Sequence, residues 1–191
     1  TNGASSTARF RNPWELAADS SGNIYVADTG NHLIRKIDTN GTVTTIAGSG
    51  SAGSKDGQGT SASFHEPRGI AVDSLGNVYV ADLFNNKIRR IDPSGYVTTL
   101  AGTGSQGSSN QGASSTFNSP SGLALDSSNN LYVADLHNHL IRKISIPPEH
   151  SQVSLTLYNL DDETDDTTIT LTSSDTGEGT VSPSSLTFNG N

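Results

Sequence analysis

The sequence predicts an all-β fold made of repeated antiparallel sheets. One segment recurs three times, as Asn23-Ile-Tyr-Val-Ala-Asp28, Asn77-Val-Tyr-Val-Ala-Asp82 and Asn130-Leu-Tyr-Val-Ala-Asp135. The final aspartates of the copies are 54 and 53 residues apart. Short β-branched and aromatic runs between turns rich in Gly, Asn, Asp and Pro are typical of antiparallel strands. Three copies of such a unit indicate a repeat architecture.

The repeat unit consists of four predicted strands in a fixed order, and the fourth is clear in only two of the copies. The first strand follows a proline, the second is the recurring segment, and the third ends in an Ile-Arg-Lys-Ile or Ile-Arg-Arg-Ile run. The fourth strand is Val43-Thr-Thr-Ile-Ala-Gly48 in the first copy and Val97-Thr-Thr-Leu-Ala-Gly102 in the second. The third copy lacks a clear counterpart after Ile144. The repeats span roughly residues 10–48, 64–102 and 117–146.

A four-stranded antiparallel meander is the blade of a β-propeller. The second strand is apolar at nearly every position, as expected when neighbouring blades cover both faces of a sheet. The sequence therefore predicts a partial propeller of three four-stranded blades within residues 1–146, forming an open arc. Residues 3–10 resemble the inter-blade stretches that end in Phe64 and Phe117, so we expect another blade upstream.

Three recurring motifs resemble the NHL repeat: Pro-x-Gly-Ile-Ala-x-Asp, Gly-Asn-x-Tyr-Val-Ala-Asp and Asn-x-x-Ile-Arg-Lys-Ile. The resemblance covers roughly residues 10–144. It implies a propeller, usually of about six blades, whose known members mostly bind proteins, RNA or extracellular ligands. Glu15 departs from the motif, because the other copies have Gly69 and Gly122 at that position.

The composition changes after the third repeat. Residues 145–191 hold eight of the nineteen acidic residues and no Lys or Arg. Pro147 and Pro148 interrupt strand pairing, so residues 147–151 are predicted to be a linker. Alternating apolar residues in 152–191 predict a partial β-sandwich with one wet face. Its Ser-rich end resembles the Calx-β and immunoglobulin-like modules of bacterial surface proteins.

The repeat also predicts structural polar positions. Each repeated aspartate ends a strand just before a bend, where its carboxylate is expected to accept backbone N–H bonds of that bend in an Asx-turn. Ligation of a central ion by these aspartates is the alternative. The third-strand arginine is expected to pair with an acid of a neighbouring blade. The nine positions are Asp28, Asn31, Arg35, Asp82, Asn85, Arg89, Asp135, Asn138 and Arg142.

Two further patterns suggest metal binding. His137 and His139 form a His-x-His bend that could bind a transition metal, but His139 corresponds to His32 and Asn86 and so follows the repeat. A predicted loop clusters oxygen ligands suited to calcium, although a solvated acidic turn is favoured. These calcium candidates are Asp161, Asp162, Glu163, Asp165 and Asp166.

The segment Gly48-Ser-Gly-Ser-Ala-Gly53 has the spacing of a dinucleotide-binding loop. Such a loop needs a helix after its glycines, so that backbone N–H groups face the pyrophosphate. The following Ser-Lys-Asp-Gly-Gln-Gly is not helical in character. We therefore interpret this segment, and its copy at Gly102–Gly107, as inter-blade loops.

The favoured function is a non-catalytic binding or adhesion scaffold within a longer secreted or cell-surface protein. A protein or carbohydrate ligand is expected, with no catalytic residue, no cofactor and no membrane segment. The first 144 residues have no net charge, and adjacent basic residues point to opposite faces of a strand, so nucleic acid is not expected as a partner. The alternative is a metal-dependent propeller enzyme resembling a lyase or lactonase. Further blades are expected upstream or through self-association.

Overall fold

The computed structural model describes residues 1–146, 167–170 and 185–188. The chain divides into two units, Thr1–Pro148 and Glu149–Asn191. Within the described residues the fold is all-β, which confirms the predicted class. None of their helical turns is long and apolar enough to cross a bilayer. The predicted linker at 147–151 lies outside the described residues.

The described part of the first unit contains three antiparallel sheets. Their strands are β1 (Gly3–Ala4), β2 (Pro13–Ala18), β3 (Ile24–Asp28), β4 (Leu33–Ile37), β5 (Thr42–Ala47), β6 (Gly57–Gln58), β7 (Pro67–Val72), β8 (Val78–Asp82), β9 (Lys87–Ile91), β10 (Tyr96–Ala101), β11 (Pro120–Leu125), β12 (Asn130–Asp135) and β13 (Leu140–Ser145). The sheet orders are β1-β5-β4-β3-β2, β6-β10-β9-β8-β7 and β11-β12-β13. We call these sheets blades 1, 2 and 3.

Blades 1 and 2 contain the four predicted strands and one more. The extra strand has two residues and comes from the segment that precedes the blade. In blade 1, Gly3 pairs with Val43 on the outer strand, and in blade 2, Gly57 pairs with Val97. Blade 3 has three strands within the described residues. The segments that precede blades 1 and 2 therefore return to the outer edge of the blade that follows them.

The innermost strands β2, β7 and β11 lie side by side in successive blades. A Cβ atom on Gly69 would lie 2.9 Å from the carbonyl oxygen of Ser121 on the next inner strand. This close approach explains glycine at the third position of the first motif. Glu15 occupies that position in blade 1, and its carboxylate accepts the backbone N–H of Ile70 at 3.3 Å.

Blade 2 is covered on both faces by its neighbours. On one face, the equivalent residues Leu16, Ile70 and Leu123 are 65%, 2% and 8% exposed. On the other face, the equivalent residues Ile34, Ile88 and Ile141 are 0%, 0% and 74% exposed. The large exposures fall on the outward faces of blades 1 and 3. The continuous apolar character of the second strand therefore reflects sheet-on-sheet stacking, as predicted.

The glycine-rich segment after β5 is an inter-blade loop, as interpreted from the sequence. Gly48 has a φ of +104°, and a Cβ there would lie 2.5 Å from the carbonyl oxygen of His32. Gly102 repeats the arrangement, with a φ of +102° and the same 2.5 Å approach to Asn86. The loop then runs through a parallel bridge between Ala52 and Phe64 into the next blade. These glycines serve a tight turn and a close backbone approach.

The second unit is described only at β14 (Thr167–Thr170) and β15 (Ser185–Phe188), which pair antiparallel. In this pair, Ile169 lies opposite Leu186. The resemblance to Calx-β and immunoglobulin-like modules stays a prediction.

The turn between β7 and β8 is organised by Asp73. Its carboxylate accepts the backbone N–H groups of Leu75 and Asn77, the Asn77 amide at 2.8 Å and the Tyr79 hydroxyl at 2.9 Å. Asp19 and Asp126 make the equivalent bonds in the other blades. Burial, followed by the hydrogen bond to Asp73 and that residue's charge, raises the pKa of Tyr79.

Tyr79→Phe is expected to change stability in a pH-dependent way. At neutral pH the loss of the hydroxyl leaves a buried carboxylate oxygen short of a donor, at a cost of about 1–2 kcal/mol in the free energy of unfolding. Folding favours the protonated phenol, so its contribution is complete below the ordinary pKa of 10.0 and is lost as the pH rises further. Urea unfolding at pH 7 and above pH 10 should show the difference between the two proteins shrinking. A constant difference would contradict this assignment.

Candidate functional site

The repeated aspartates lie at the centre of buried hydrogen-bond clusters. In blade 2, Asp82 accepts the backbone N–H of His65, the Asn85 amide and the Arg89 guanidinium, each at 2.7 Å. The Asp82 and Arg89 side chains are both 0% exposed. Burial raises the pKa of the Asp82 carboxyl, and these hydrogen bonds oppose that shift.

The same cluster recurs in the other blades. Asp28 accepts bonds of 2.7, 2.9 and 2.8 Å from the Arg11 backbone, Asn31 and Arg35. Asp135 accepts bonds of 2.7, 2.8 and 3.1 Å from the Asn118 backbone, Asn138 and Arg142. All nine predicted positions therefore come together as three Asp–Asn–Arg clusters. We call these the motif clusters.

The structure corrects the predicted Asx-turn. The backbone donor to Asp82 is His65, which precedes strand β7 and lies 17 residues earlier in the chain. The bend after β8 is a 3₁₀ turn, Leu83–Asn85, without a side-chain cap bond, and Asn86 closes it by donating to the Leu83 carbonyl at 3.2 Å. The carboxylate thus ties two strand ends together across the blade instead of capping its own bend.

The predicted inter-blade pairing of the arginines is also corrected. Arg89 on β9 pairs with Asp82 on the adjacent strand β8 of the same sheet. Its guanidinium also donates to Asp56 at 2.5 Å, to the Lys55 carbonyl at 2.9 Å and to the Ser63 carbonyl at 3.1 Å. It lies 5.1 Å from the ring centroid of Phe64. The arginine therefore fixes the preceding inter-blade segment onto its own blade.

A fourth repeated position was missed by the sequence reasoning. Asn2 and Asn110 accept a guanidinium bond from Arg35 and Arg142, as Asp56 does from Arg89. These three residues recur every 54 residues, so the period was the available signal. Because the residue at this position is Asn in two copies and Asp in one, it was not recognised as part of the repeat. With these bonds, each motif cluster uses its polar groups on structural partners, except Nε of Arg35 and Arg89, which lack an acceptor among the described residues.

His139 occupies a position that links neighbouring blades in the other copies. There, His32 Nδ1 accepts the Glu66 backbone N–H at 3.1 Å, and Asn86 accepts that of Ser119 at 3.0 Å. His139 has the left-handed φ of 55° typical of this position. Among residues 1–146 the structure brings together no group of three acidic or histidine side chains suited to a metal. The five calcium candidates lie outside the described residues.

An exposed aromatic–cation pair marks a place where the repeat is broken. The variable position of the Pro-x-Gly motif holds Trp14, Arg68 and Ser121 in the three copies. The Arg68 guanidinium lies 4.1 Å from the centroid of the Trp14 ring, and Trp14 is 60% exposed. The strand register shifts beside Trp14 and beside Arg68. Such shifts change the direction of a side chain relative to the regular alternation of the strand. We call Trp14 and Arg68 the stacked pair.

Within the described residues, the Arg68 side chain makes no hydrogen bond or ion pair, and its buried Nε has no acceptor. Glu15, which follows Trp14 in the motif, directs its carboxylate to the Ile70 backbone. Burial raises the pKa of Glu15, and that hydrogen bond opposes the shift. The sequence reasoning noted Glu15 but missed the stacked pair, because the motif reserves no residue type for that position.

Comparison with known families identifies the repeats. Residues 10–37 and 117–144 match the NHL repeat, and residues 50–116 match the teneurin NHL domain. NHL repeat-containing protein 2 of Bos taurus is 36% identical over 156 residues, which cover 73% of this chain and 21% of that protein. SUPPRESSOR OF QUENCHING 1 of Arabidopsis thaliana is 32% identical over 146 residues, covering 70% of this chain and 14% of that protein. The chain thus spans about a fifth or less of the length of these relatives.

A solved structure supports the same architecture. An auxiliary nutrient binding protein of Bacteroides ovatus superposes with a TM-score of 0.62 at 26% sequence identity. The superposition covers 72% of this chain and 38% of that protein.

Asp82→Ala is expected to destabilise blade 2 severely. It leaves the buried Arg89 guanidinium without its main counter-charge and should cost about 3–5 kcal/mol in the free energy of unfolding. Asp56→Asn is the matched control, because Asn2 and Asn110 already place asparagine there, and we expect a loss below about 1 kcal/mol. Chemical denaturation of both variants measures the difference. Equal losses would show that the motif clusters are not the dominant structural ties.

Quenching of tryptophan fluorescence should report the local charge of the stacked pair. The chain has one tryptophan, so its emission comes from Trp14 alone. The adjacent guanidinium should concentrate iodide, and Arg68→Gln should lower the iodide quenching constant by about twofold while acrylamide quenching stays constant. An unchanged ratio of iodide to acrylamide quenching would place the Arg68 charge away from the indole.

Proposed function

The chain carries an NHL-repeat propeller, and from that premise we propose that it is a non-catalytic binding module. The proposed binding surface is the end of the inner strands that carries Trp14 and Arg68. The observation that supports it most is the contrast between two kinds of arginine. Those of the motif clusters are buried against structural acceptors, whereas Arg68 is stacked on an exposed aromatic ring.

Engagement of the repeated carboxylates supports the non-catalytic assignment. A general acid, a general base or a metal ligand needs lone pairs directed at a substrate or ion. Asp82 directs both of its oxygens at three donors of its own blade. Both carboxylate oxygens of Asp73 likewise accept hydrogen bonds from its own blade, one from the Leu75 backbone and the other from the Tyr79 hydroxyl. We therefore propose that the described repeats act without a resident cofactor, while calcium binding by 161–166 stays a separate prediction.

The proposed ligand is a carbohydrate or protein met outside the cell or at its surface. Similarity to a nutrient-binding protein supports a ligand-binding role. A nucleic-acid role is not proposed, because Arg35 and Arg89 are 1% and 0% exposed and so do not offer their charge to phosphates. The net charge of −8 also disfavours binding to the phosphates of a nucleic acid.

Further blades are proposed to cover the outward apolar faces of blades 1 and 3. Leu16 is 65% exposed and Ile141 is 74% exposed, although the equivalent residues of blade 2 are buried. Repeat architectures bury such faces only against neighbouring units. More blades of the same protein, or a second copy of the chain, would supply that cover.

Binding should depend on Trp14 and not on the motif carboxylates. We expect the protein to retain a subset of ligands on arrays of glycans and extracellular protein domains, and Trp14→Ala to abolish retention with an unchanged melting temperature. The matched control is Tyr96→Ala, which removes another exposed aromatic side chain, 44% exposed, from the outer strand β10. Retention that survives Trp14→Ala, or turnover of a bound ligand, would contradict the proposal.

A further inference from the structure

We infer that the stacked pair is a subsite for acidic sugars, that is, for a pyranose ring carrying a carboxylate. The inference rests on the proposed binding function and specifies the chemistry of its ligand. It assigns separate parts of the ligand to the two side chains. Arg68 receives the carboxylate, and Trp14 receives the apolar face of the ring.

Arg68 has the hydrogen-bonding capacity that an oxyanion needs. A guanidinium offers a planar fork of donors that matches a carboxylate in two parallel bonds. Arg35, Arg89 and Arg142 each direct one terminal nitrogen at an aspartate of their own blade and the other at the segment that precedes the blade. Arg68 makes no such pair within the described residues, and its two terminal nitrogens, unlike its Nε, are not buried. An incoming carboxylate could accept hydrogen bonds from both of these terminal nitrogens.

Trp14 defines the second half of the subsite. Its indole is 60% exposed although it is a large aromatic side chain on an inner strand. Exposed aromatic rings favour ligands that combine an apolar face with polar edges. The Arg68 guanidinium at 4.1 Å from the ring centroid holds the charge beside that surface. A free anion would use only the guanidinium, whereas a ring bearing a carboxylate would contact both side chains.

The nearest acidic residue in the motif does not neutralise the Arg68 charge. Glu15 follows Trp14 directly, but its carboxylate bonds to the Ile70 backbone and forms no ion pair with Arg68 in the described structure. The raised pKa of Glu15 further reduces its charge under mildly acidic conditions. The position is therefore cationic locally, although residues 1–144 as a whole hold equal numbers of basic and acidic residues.

Fluorescence of the single tryptophan tests the inference directly. The probe is trigalacturonate, and the neutral control ligand is maltotriose, which has the same number of rings. We expect trigalacturonate to shift the Trp14 emission in a saturable manner and to bind at least about tenfold more tightly than maltotriose, since a charged bidentate contact is lost in the neutral sugar. Arg68→Gln should weaken trigalacturonate binding by about the same factor.

Matched variants separate this contact from general charge. Lys87→Gln removes a cation that donates to Ser54 on an inter-blade loop, and it should leave trigalacturonate affinity unchanged. Trp14→Phe, measured by calorimetry, should weaken binding of the ring but retain the preference for the charged sugar. Circular dichroism melting of each variant establishes that it folds like the unaltered protein.

The possible outcomes separate the acidic-sugar assignment from the more general binding function. Equal affinity for the two sugars, insensitivity to Arg68→Gln, or inorganic phosphate binding as tightly as trigalacturonate would overturn the acidic-sugar assignment. Trp14-dependent retention of some other ligand on the arrays would then leave the binding function intact. If neither selective trigalacturonate binding nor Trp14-dependent retention on the arrays were observed, the proposed binding function would be wrong as well.

Discussion

The buried ion pair between the motif aspartate and the third-strand arginine is the interaction on which the rest of the blade depends. Removal of two charges from water is costly, and the cost is offset only when each charge meets several well-placed partners. In blade 2 the pair provides those partners by gathering the end of the inter-blade segment, the bend after β8 and strand β9 around one carboxylate and one guanidinium. These three parts of the blade are thereby held together at a single buried point.

This arrangement explains why the blades are so similar and why binding is assigned elsewhere. A residue of the cluster cannot change alone without leaving a buried polar group unpaired. The inner-strand position after each proline carries no such constraint, and it holds tryptophan, arginine and serine in the three blades. Ligand specificity can therefore vary at those positions while the scaffold stays constant.

Much of the fold followed from local sequence patterns. The period, the strand order and the inter-blade loops could be predicted because each depends on residues close together in the chain. The donor to Asp82 could not, because the bend after the aspartate and His65, 17 residues earlier, are equally good chemical partners until the strand register is known. The strands β1 and β6 were missed for a related reason: two-residue strands carry no alternation that could be recognised. The stacked pair depends on register between two inner strands and is hidden for the same reason.

The structural role of the buried pair can be measured with a double-mutant cycle between Asp82 and Arg89. The single variants Asp82→Asn and Arg89→Met and the double variant would be unfolded in urea, and the coupling free energy obtained from the four stabilities. We expect a coupling of about 2 kcal/mol or more, since each partner is buried and depends on the other. Additive losses, with a coupling near zero, would show that the carboxylate and the guanidinium act independently and that the blade is held together by other contacts.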